Sequence, residues 1–397
     1  MTDQISKSAG ASPAVFRILT PIMAAVLAGF LIIGIALPVL PLHVTDDLGY
    51  GAFVVGLVAG AQFIAALVSR VWAGAFSDRY GPKAGVITGL TTAIVAGLLY
   101  LLSLALAGTP LMSVIILIVG RAVLGGAESF IITGGVSWGL GRVDDVHAGK
   151  VIAWVGTAMF AAMALGGPLG SLLFSSYGFV SIALATALIP LAVLVALIQI
   201  PAVPLHPAQS KKSALSVLGS VWLPGLGAAF ASIGYCAILT FSSLYYDEQE
   251  WHPIWLAFSA FGLALIFARL VAGHWPDKFG GARIALTFVL VQTLGLLILW
   301  LASNAFIASC GAALAGFGYA LVYPGLGVEA VRGSSAANRG LAMGLYTVFL
   351  DIAMAIGSPA LGWIAGWSGL DTIFAASALV VACTALIAAR LIISARE

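Results

Sequence analysis

Two stretches of this sequence share one pattern: Arg70-Val-Trp-Ala-Gly74-Ala-Phe-Ser-Asp78-Arg79-Tyr80-Gly81 and Arg269-Leu-Val-Ala-Gly273-His-Trp-Pro-Asp277-Lys278-Phe279-Gly280. Both read R-x-x-A-G-x-x-x-D-[RK]-[YF]-G, and they begin 199 positions apart in a chain of 397 residues. A long pattern that recurs at half the chain length indicates an internal duplication. We therefore predict two halves of similar architecture.

The composition of the chain excludes a soluble globular protein. Hydrophobic residues make up 61% of the sequence and charged residues 8%, whereas a typical globular domain has about 25% charged residues. So few charges cannot cover a water-soluble particle of this size, but a surface in contact with lipid needs few. A net charge of +2 gives no reason to expect nucleic acid as a partner.

Twelve apolar stretches qualify, or nearly qualify, as membrane-spanning helices, which need about 20 residues each. They are 18–42, 53–72, 84–107, 111–132, 151–174, 179–200, 222–245, 254–271, 284–301, 305–328, 341–365 and 373–393. The duplication then divides the chain into a tail at 1–17, a six-helix half at 18–201, a linker at 202–216 and a second six-helix half at 217–397. The predicted fold class is an all-α membrane protein.

The positive charges predict which way the spans face. Fourteen of the 17 Lys and Arg residues fall in the two terminal segments or in the loops on the same side. The charged residues of the opposite loops are acidic: Asp46, Asp47, Asp247, Glu248, Glu250 and Asp371. By the positive-inside rule, both termini are expected to be cytoplasmic. With Arg390 counted at the chain end, the three remaining basic residues, Arg70, Arg121 and Arg269, fall within spans.

Several motifs resemble those of the major facilitator superfamily. The segment from Gly74 to Lys83 is similar to its loop between spans 2 and 3, and Gly120-Arg121-x-x-x-Gly125 is similar to its buried-arginine motif in span 4. Gly167-Pro168-x-Gly170 resembles the core of its antiporter motif, although the glycine spacing around Gly156 departs from the full form. That departure leaves both export and uptake open.

Three further stretches resemble the bacterial YhhS-type permeases, a group described as arabinose or drug efflux proteins. They are Ser69-Arg70, Gly135–Gly141 and Tyr346-Thr-Val-Phe-Leu-Asp351. The resemblance covers essentially the whole chain. It implies a secondary transporter of the bacterial inner membrane that moves a small solute by alternating access, works as a monomer and uses protons.

Glu128 and Asp351 are the candidates for proton coupling, because a charge within a span needs a partner or a purpose. Arg121 and Glu128 are seven residues apart on span 4 and share one helical face. Glu128 could carry a proton while Arg121 tunes it or binds the solute, or the two could form a static ion pair. Asp351 could be a second protonatable site, or it could lock span 11 to span 2 or span 10.

The other candidates fall into a cavity set and a gating set. The cavity set consists of polar and aromatic side chains within spans: Arg121, Gln62, Trp154, Tyr235, Thr240, Tyr319 and Tyr323. Its aromatic content with few charges favours a small amphiphilic or hydroxylated solute. The resemblance implies that an aspartate such as Asp78 latches the two halves in the outward-facing state. The gating set is Arg70, Gly74, Asp78, Arg79, Gly81 and Lys83 in one half, and Arg269, Gly273, Asp277 and Lys278 in the other.

Enzymatic and metal chemistry find little support in the sequence. Cys236, Cys310 and Cys383 each stand alone, so no metal or cofactor is expected. Gly135-Val-Ser137-Trp-Gly139 matches G-x-S-x-G, but a nucleophile elbow needs a strand-to-helix turn and a positioned His. The favoured function is proton-coupled export of a small organic solute. Proton-coupled uptake is the alternative, and an intramembrane enzyme is a distant one.

The span count predicts the outcome of cysteine labelling in whole cells. Cysteines placed at Lys211 and Lys212 should react only after the membrane is permeabilised, whereas those at Asp247 and Glu250 should react in intact cells. Labelling of the linker from outside would contradict the predicted number of spans.

Overall fold

The computed structural model describes residues 13–143, 148–202, 215–332 and 339–394, and within these ranges the chain is nearly all helical. The tail predicted at 1–17 and the linker predicted at 202–216 lie largely outside them. The twelve long helices are α1 Pro13–Ala36, α2 Ala52–Tyr80, α3 Pro82–Ala105, α4 Pro110–Leu140, α5 Ala148–Tyr177, α6 Phe179–Ile198, α7 Leu215–Glu248, α8 Leu256–Ala272, α9 Gly281–Trp300, α10 Ala305–Arg332, α11 Arg339–Ser368 and α12 Thr372–Ser394.

These helices confirm the predicted fold class. Eleven of them are long and apolar enough to cross a membrane, and α8 is a shorter apolar helix of 17 residues. They follow the order of the twelve predicted spans. The side on which α1 begins and α12 ends is called here the termini face, and the side that carries Asp46, Asp247 and Asp371 the far face.

The first predicted span, 18–42, is divided in the structure. α1 ends at Ala36, and a short helix Leu40–Leu42 and a π-helical turn His43–Asp47 follow it. Pro38 explains the break, because proline disfavours the helical conformation of the residue before it and has no N–H to donate. Hydropathy alone does not detect this break, since Leu37 to Leu42 are as apolar as the helix before them.

The two copies of the repeated pattern differ in backbone structure. In the first copy α2 continues unbroken to Tyr80, and Gly81 ends it with a φ of +96°. In the second copy α8 ends at Ala272, and a short helix Trp275–Phe279 follows. Pro276 stands where the first copy has Ser77, and a proline there cannot donate the hydrogen bond that would continue α8.

The two halves meet through two pairs of helices that are equivalent under the duplication. α2 packs along α11, and α5 packs against α8. The contact between α2 and α11 is close because glycines face it: a Cβ added to Gly56 would overlap the carbonyl of Ser358, and one added to Gly362 would overlap the carbonyl of Ala52. These residues lie in the parts of α2 and α11 nearest the far face, so the halves are closed against each other there.

A larger side chain at Gly56 should force the far face open. Gly56→Val overpacks the contact between α2 and α11, which costs about 1–3 kcal/mol and shifts a two-state equilibrium about 5- to 150-fold. Spin labels on cysteines at Ala107 and Ser303, one on each half, should move apart. Gly366→Val is the control, because a Cβ at Gly366 meets no atom within 4 Å. An unchanged distance distribution for Gly56→Val would contradict the conclusion that close packing of α2 against α11 keeps the far face closed.

Candidate functional site

An ion pair joins the two halves between Arg70 of α2 and Asp351 of α11. The Nη2 of Arg70 lies 3.0 Å from Oδ2 of Asp351 and donates a hydrogen bond of 3.2 Å to Oδ1. The side chain of Asp351 is 4% exposed and that of Arg70 is 28% exposed. Asp351 is twelve residues into α11, about 18 Å along the helix axis, and therefore well inside the membrane. Of the two roles left open for Asp351, this geometry matches a link to span 2.

Glu128 of α4 accepts a hydrogen bond from an amide. The Nε2 of Gln62 on α2 donates to Oε2 of Glu128 at 2.8 Å. The other amide atom, Oε1 of Gln62, is buried and has no hydrogen-bond partner within the described ranges. One residue further along α4, the hydroxyl of Ser129 donates to the carbonyl of Ala66 at 2.8 Å, which fixes α4 against α2 at this level.

Arg121 lies on the same helix as Glu128 but contacts a different neighbour. It is fully buried, and its Nη1 lies 3.5 Å from the hydroxyl of Tyr100 on α3. Its Nε and Nη2 have no hydrogen-bond partner among the described residues. Arg121 interacts with Glu128 electrostatically, but no ion pair within 4 Å joins them in the part of the chain that the structure describes.

Arg70 is placed between two carboxylates. It pairs directly with Asp351, and it also interacts electrostatically with Glu128. Its Nε is buried without a hydrogen-bond partner in the described ranges, so the guanidinium has donor capacity left. Both carboxylates therefore lie within electrostatic range of one guanidinium.

Three tyrosines of the cavity set come together in the second half. The rings of Tyr235 on α7 and Tyr319 on α10 stack with centroids 4.9 Å apart. The Tyr319 hydroxyl is 3.1 Å from the hydroxyl of Ser232, and that of Tyr323 is 3.0 Å from the hydroxyl of Thr347. Tyr235 and Tyr323 retain partly exposed surface although they lie deep in the helical bundle, as expected of residues that line a cavity.

Arg269 of α8 joins this aromatic group. Its guanidinium carbon lies 4.1 Å from the ring centroid of Phe160 on α5, in the other half, and its Nε donates to the carbonyl of Ala320 at 3.4 Å. It lies within electrostatic range of Tyr235, Tyr319 and Tyr323. None of the ion pairs within the described ranges includes Arg269. Sequence reasoning placed Arg269 only in the gating set, and Phe160 carried no signal at all.

The remaining cavity candidates lie on the same two helices as members of this group. Trp154 is half-buried on α5, six residues before Phe160, and Thr240 is buried on α7, five residues after Tyr235. The role of Trp154 and Thr240 in lining a cavity stays a prediction.

Most of the gating set lies at the termini face. Asp78 and Asp277 are exposed, and neither belongs to an ion pair within the described ranges. Arg79 lies over the ring of Tyr80, and Lys278 lies over that of Phe279. Lys83 donates to the carbonyls at the end of α6, at 2.9 Å to Ile198 and 2.5 Å to Ile200, which anchors the loop between α2 and α3.

The three glycines of the gating set have different surroundings: Gly74, Gly81 and Gly273. A Cβ on Gly74 would meet no atom within 4 Å, whereas Gly81 needs its positive φ to end α2. Gly273 follows the last residue of α8 and donates its N–H to the carbonyl of Arg269 at 3.0 Å.

Glu329 of α10 is a site that sequence reasoning missed. Its Oε1 accepts a hydrogen bond of 3.0 Å from the backbone N–H of Ala282, at the start of α9, where the helix dipole favours a negative charge. Its Oε2 pairs with Arg332 at 2.8 Å. The sequence did contain a signal for this ion pair, because Glu329 and Arg332 are three residues apart at a helix end and such residues are neighbours on the helix surface.

The comparisons with known proteins identify the family. Residues 22–332 and 255–397 match the family model described as Major Facilitator Superfamily. The chain belongs to this superfamily. It is 38% identical over 365 residues to the uncharacterized MFS-type transporter YhhS of Escherichia coli (strain K12), covering 92% of this chain and 90% of the relative. It is 41% identical over 361 residues to an uncharacterized MFS-type transporter of Pseudomonas aeruginosa (strain LESB58), covering 87% and 86%.

Solved structures of this superfamily have the same fold. The nucleoside transporter NupG superposes with a TM-score of 0.74 at 13% identity, over 94% of this chain and 99% of that one. A D-xylose-proton symporter superposes with a TM-score of 0.75 at 14% identity, over 94% and 96%. The resemblance predicted from the motifs is therefore confirmed, and the chain is a multi-pass membrane transporter of the YhhS type. The family relatives and the fold are those of transporters, not enzymes, and Ser137 of the G-x-S-x-G match lies inside α4.

Exchange of the charges tests the ion pair between the halves. Arg70→Asp or Asp351→Arg alone places two like charges in contact and should lower the melting temperature. The double exchange should recover most of the loss, because it restores an opposite pair with a coupling energy of about 0.5–3 kcal/mol. Arg79→Asp, at an exposed position of the same helix, is the control. If the two single losses simply add in the double variant, the residues do not stabilise each other.

Proposed function

We propose that the chain exports a small organic solute in exchange for protons and that Glu128 carries the proton. The observation that carries this proposal is the position of Glu128: it is held by the neutral amide of Gln62, within electrostatic reach of the arginine that ties the two halves together. Among the described residues, Arg70, Arg121, Tyr235 and Asp351 also lie within electrostatic range of it.

The amide partner suits a carboxyl group that changes protonation state. An amide side chain can both donate and accept hydrogen bonds. With Glu128 ionised, Nε2 of Gln62 donates to it, as in the structure. With Glu128 protonated, the carboxyl group becomes a donor, and the unpartnered Oε1 of Gln62 can accept from it after rotation of the amide. A cation at this position would serve only the ionised state.

Arg70 couples the protonation state of Glu128 to the contact between the two halves. When Glu128 is protonated, Arg70 is attracted mainly to Asp351, and that pair holds α2 against α11 and keeps the far face closed. When Glu128 loses its proton, its charge competes for Arg70 and weakens the contact between the halves. Proton release therefore favours opening of the far face. Asp351 is the second candidate in the proton pathway, because its protonation would release the same arginine.

The termini face provides the gate of the opposite state. With the halves closed at the far face, Asp78 is exposed and has no ion-pair partner in the described ranges. A latch that forms only when the far face opens would be unpaired in this state. We place this face in the cytoplasm, as the charge distribution predicts, so that the structure faces inward.

The direction of transport is proposed from α5. Its Gly166 and Gly170 fit against the backbone of α1 at Gly34 and Ile35, and Gly167 fits against Phe258 and Ser259 of α8. The segment that resembles the antiporter motif thus lies in the closure of the far face, and the resemblance favours export.

Loss of the carboxyl at Glu128 should uncouple the two fluxes. In proteoliposomes with an imposed pH gradient, a panel of sugars, drugs and metabolites should reveal solutes that drive proton movement in the opposite direction. Glu128→Gln mimics the protonated group, so it should abolish this proton movement yet retain downhill solute exchange. Glu248→Gln, at an exposed position near the far face, is the control.

Three outcomes would count against parts of this proposal. Normal coupling in Glu128→Gln would move the proton site to another residue, with Asp351 next in order. Solute and proton movement in the same direction would replace export by uptake. A lack of proton movement with any transported solute would exclude proton coupling altogether.

A further inference from the structure

α5 and α11 correspond residue by residue under the duplication. Both helices have 30 residues, and the twenty-first residue of each is a proline, Pro168 or Pro359. In this register Phe160 and Asp351 are both the thirteenth residue of their helix. The arginines that contact them, Arg269 and Arg70, are themselves equivalent, because each begins one copy of the repeated pattern.

The two equivalent contacts differ in charge. Arg70 reaches across to a carboxylate, whereas Arg269 reaches across to the aromatic ring of Phe160. A cation over a ring is stabilised by about 0.5–2 kcal/mol, which is only part of what an ion deep in a membrane protein needs. Arg269 therefore has no carboxylate partner among the described residues, and it is only partly buried.

The side chains around Arg269 suit an organic anion. The ring of Phe160 lies against its guanidinium, and the stacked rings of Tyr235 and Tyr319 lie within its electrostatic range. A guanidinium binds a carboxylate through two parallel hydrogen bonds. One guanidinium compensates one negative charge, so a monoanion fits this position better than a dianion.

Tyr235 links this cation to the proposed proton site. It lies within electrostatic range of both Arg269 and Glu128, which belong to different halves. A solute that reaches across Tyr235 would meet a cation on one side and a carboxylate on the other. If the solute carries an ammonium group, that group can take the place of the proton on Glu128, which is the competition that exchange of solute for protons requires.

We infer that the solute is a small zwitterion with an apolar body: its carboxylate binds Arg269, its ammonium group binds Glu128, and the body lies against Tyr235. This inference rests on the proposed function for the direction of coupling but not for the binding of the solute. It assigns Arg269 to the solute site, where sequence reasoning had placed it in the gate.

Binding to the purified protein in detergent tests the site without any gradient. The compounds are a series of amino acids with increasing separation between the two charges, including 6-aminohexanoate and 4-(aminomethyl)benzoate. Each is compared with its amide, which lacks the carboxylate, and its N-acetyl form, which lacks the ammonium group. At least one zwitterion should bind about 10- to 100-fold more tightly than both of its derivatives.

Variants should remove these preferences one at a time. Arg269→Gln should abolish the preference over the amide, and Arg269→Lys should retain part of it. Glu128→Gln should abolish the preference over the N-acetyl form. Phe160→Asp supplies the carboxylate that the second contact lacks, so it should weaken zwitterion binding more than Phe160→Asn, which removes the same ring without adding a charge.

The inference is wrong if no zwitterion in the series binds the wild-type protein, or if the amide and the zwitterion bind equally. It is also wrong if Arg269→Gln, folded as judged by its melting curve, keeps the preference for the carboxylate. If uncharged solutes then drive proton movement in proteoliposomes, the proposed proton-coupled export stands and only the inference of a zwitterionic solute fails. Zwitterion binding without any proton movement would instead support the site and contradict the proposed function.

Discussion

A charged side chain deep in a membrane protein must find a partner, because insertion scales give about 2.5–3.5 kcal/mol for burying it alone. Arg70 finds Asp351 on the other half of the molecule, and this pair sets how α2 and α11 lie together. Gly56 and Gly362 then allow the two backbones to approach closely toward the far face. The state in which the halves are closed there depends on both features, one electrostatic and one steric.

The two halves share the arginine but not its partner. In the first copy the partner is a carboxylate on α11, and in the second it is the ring of Phe160 on α5. This asymmetry allows the two arginines to take different roles. Arg70 joins the two halves, and the role that we propose for Arg269 is to compensate the charge of a solute. Internal symmetry thus provides a comparison within one chain, and the lack of a carboxylate opposite Arg269 is the reason for proposing a solute site there.

Apolar runs and the repeated pattern were enough to predict the twelve helices, because lipid imposes a length and a composition on every span. The breaks at Pro38 and Pro276 depend on single residues inside apolar or patterned segments and were not predicted. Contacts between spans that are distant in the sequence were harder still to predict. Arg121 and Glu128 share a helical face, yet Glu128 is hydrogen-bonded to Gln62, and the partner of Arg70 is 281 positions away. Spacing along one helix cannot report which neighbour a side chain meets.

The central claim is that the proton on Glu128 controls the contact between the halves through Arg70. The most direct measurement is the distance between spin labels at Ala107 and Ser303, across the far face, between about pH 5 and about pH 9. We expect the far face of the wild-type protein to open as the pH rises, whereas that of Glu128→Gln stays closed throughout. A Glu128→Gln protein that opens with pH as the wild type does would contradict it.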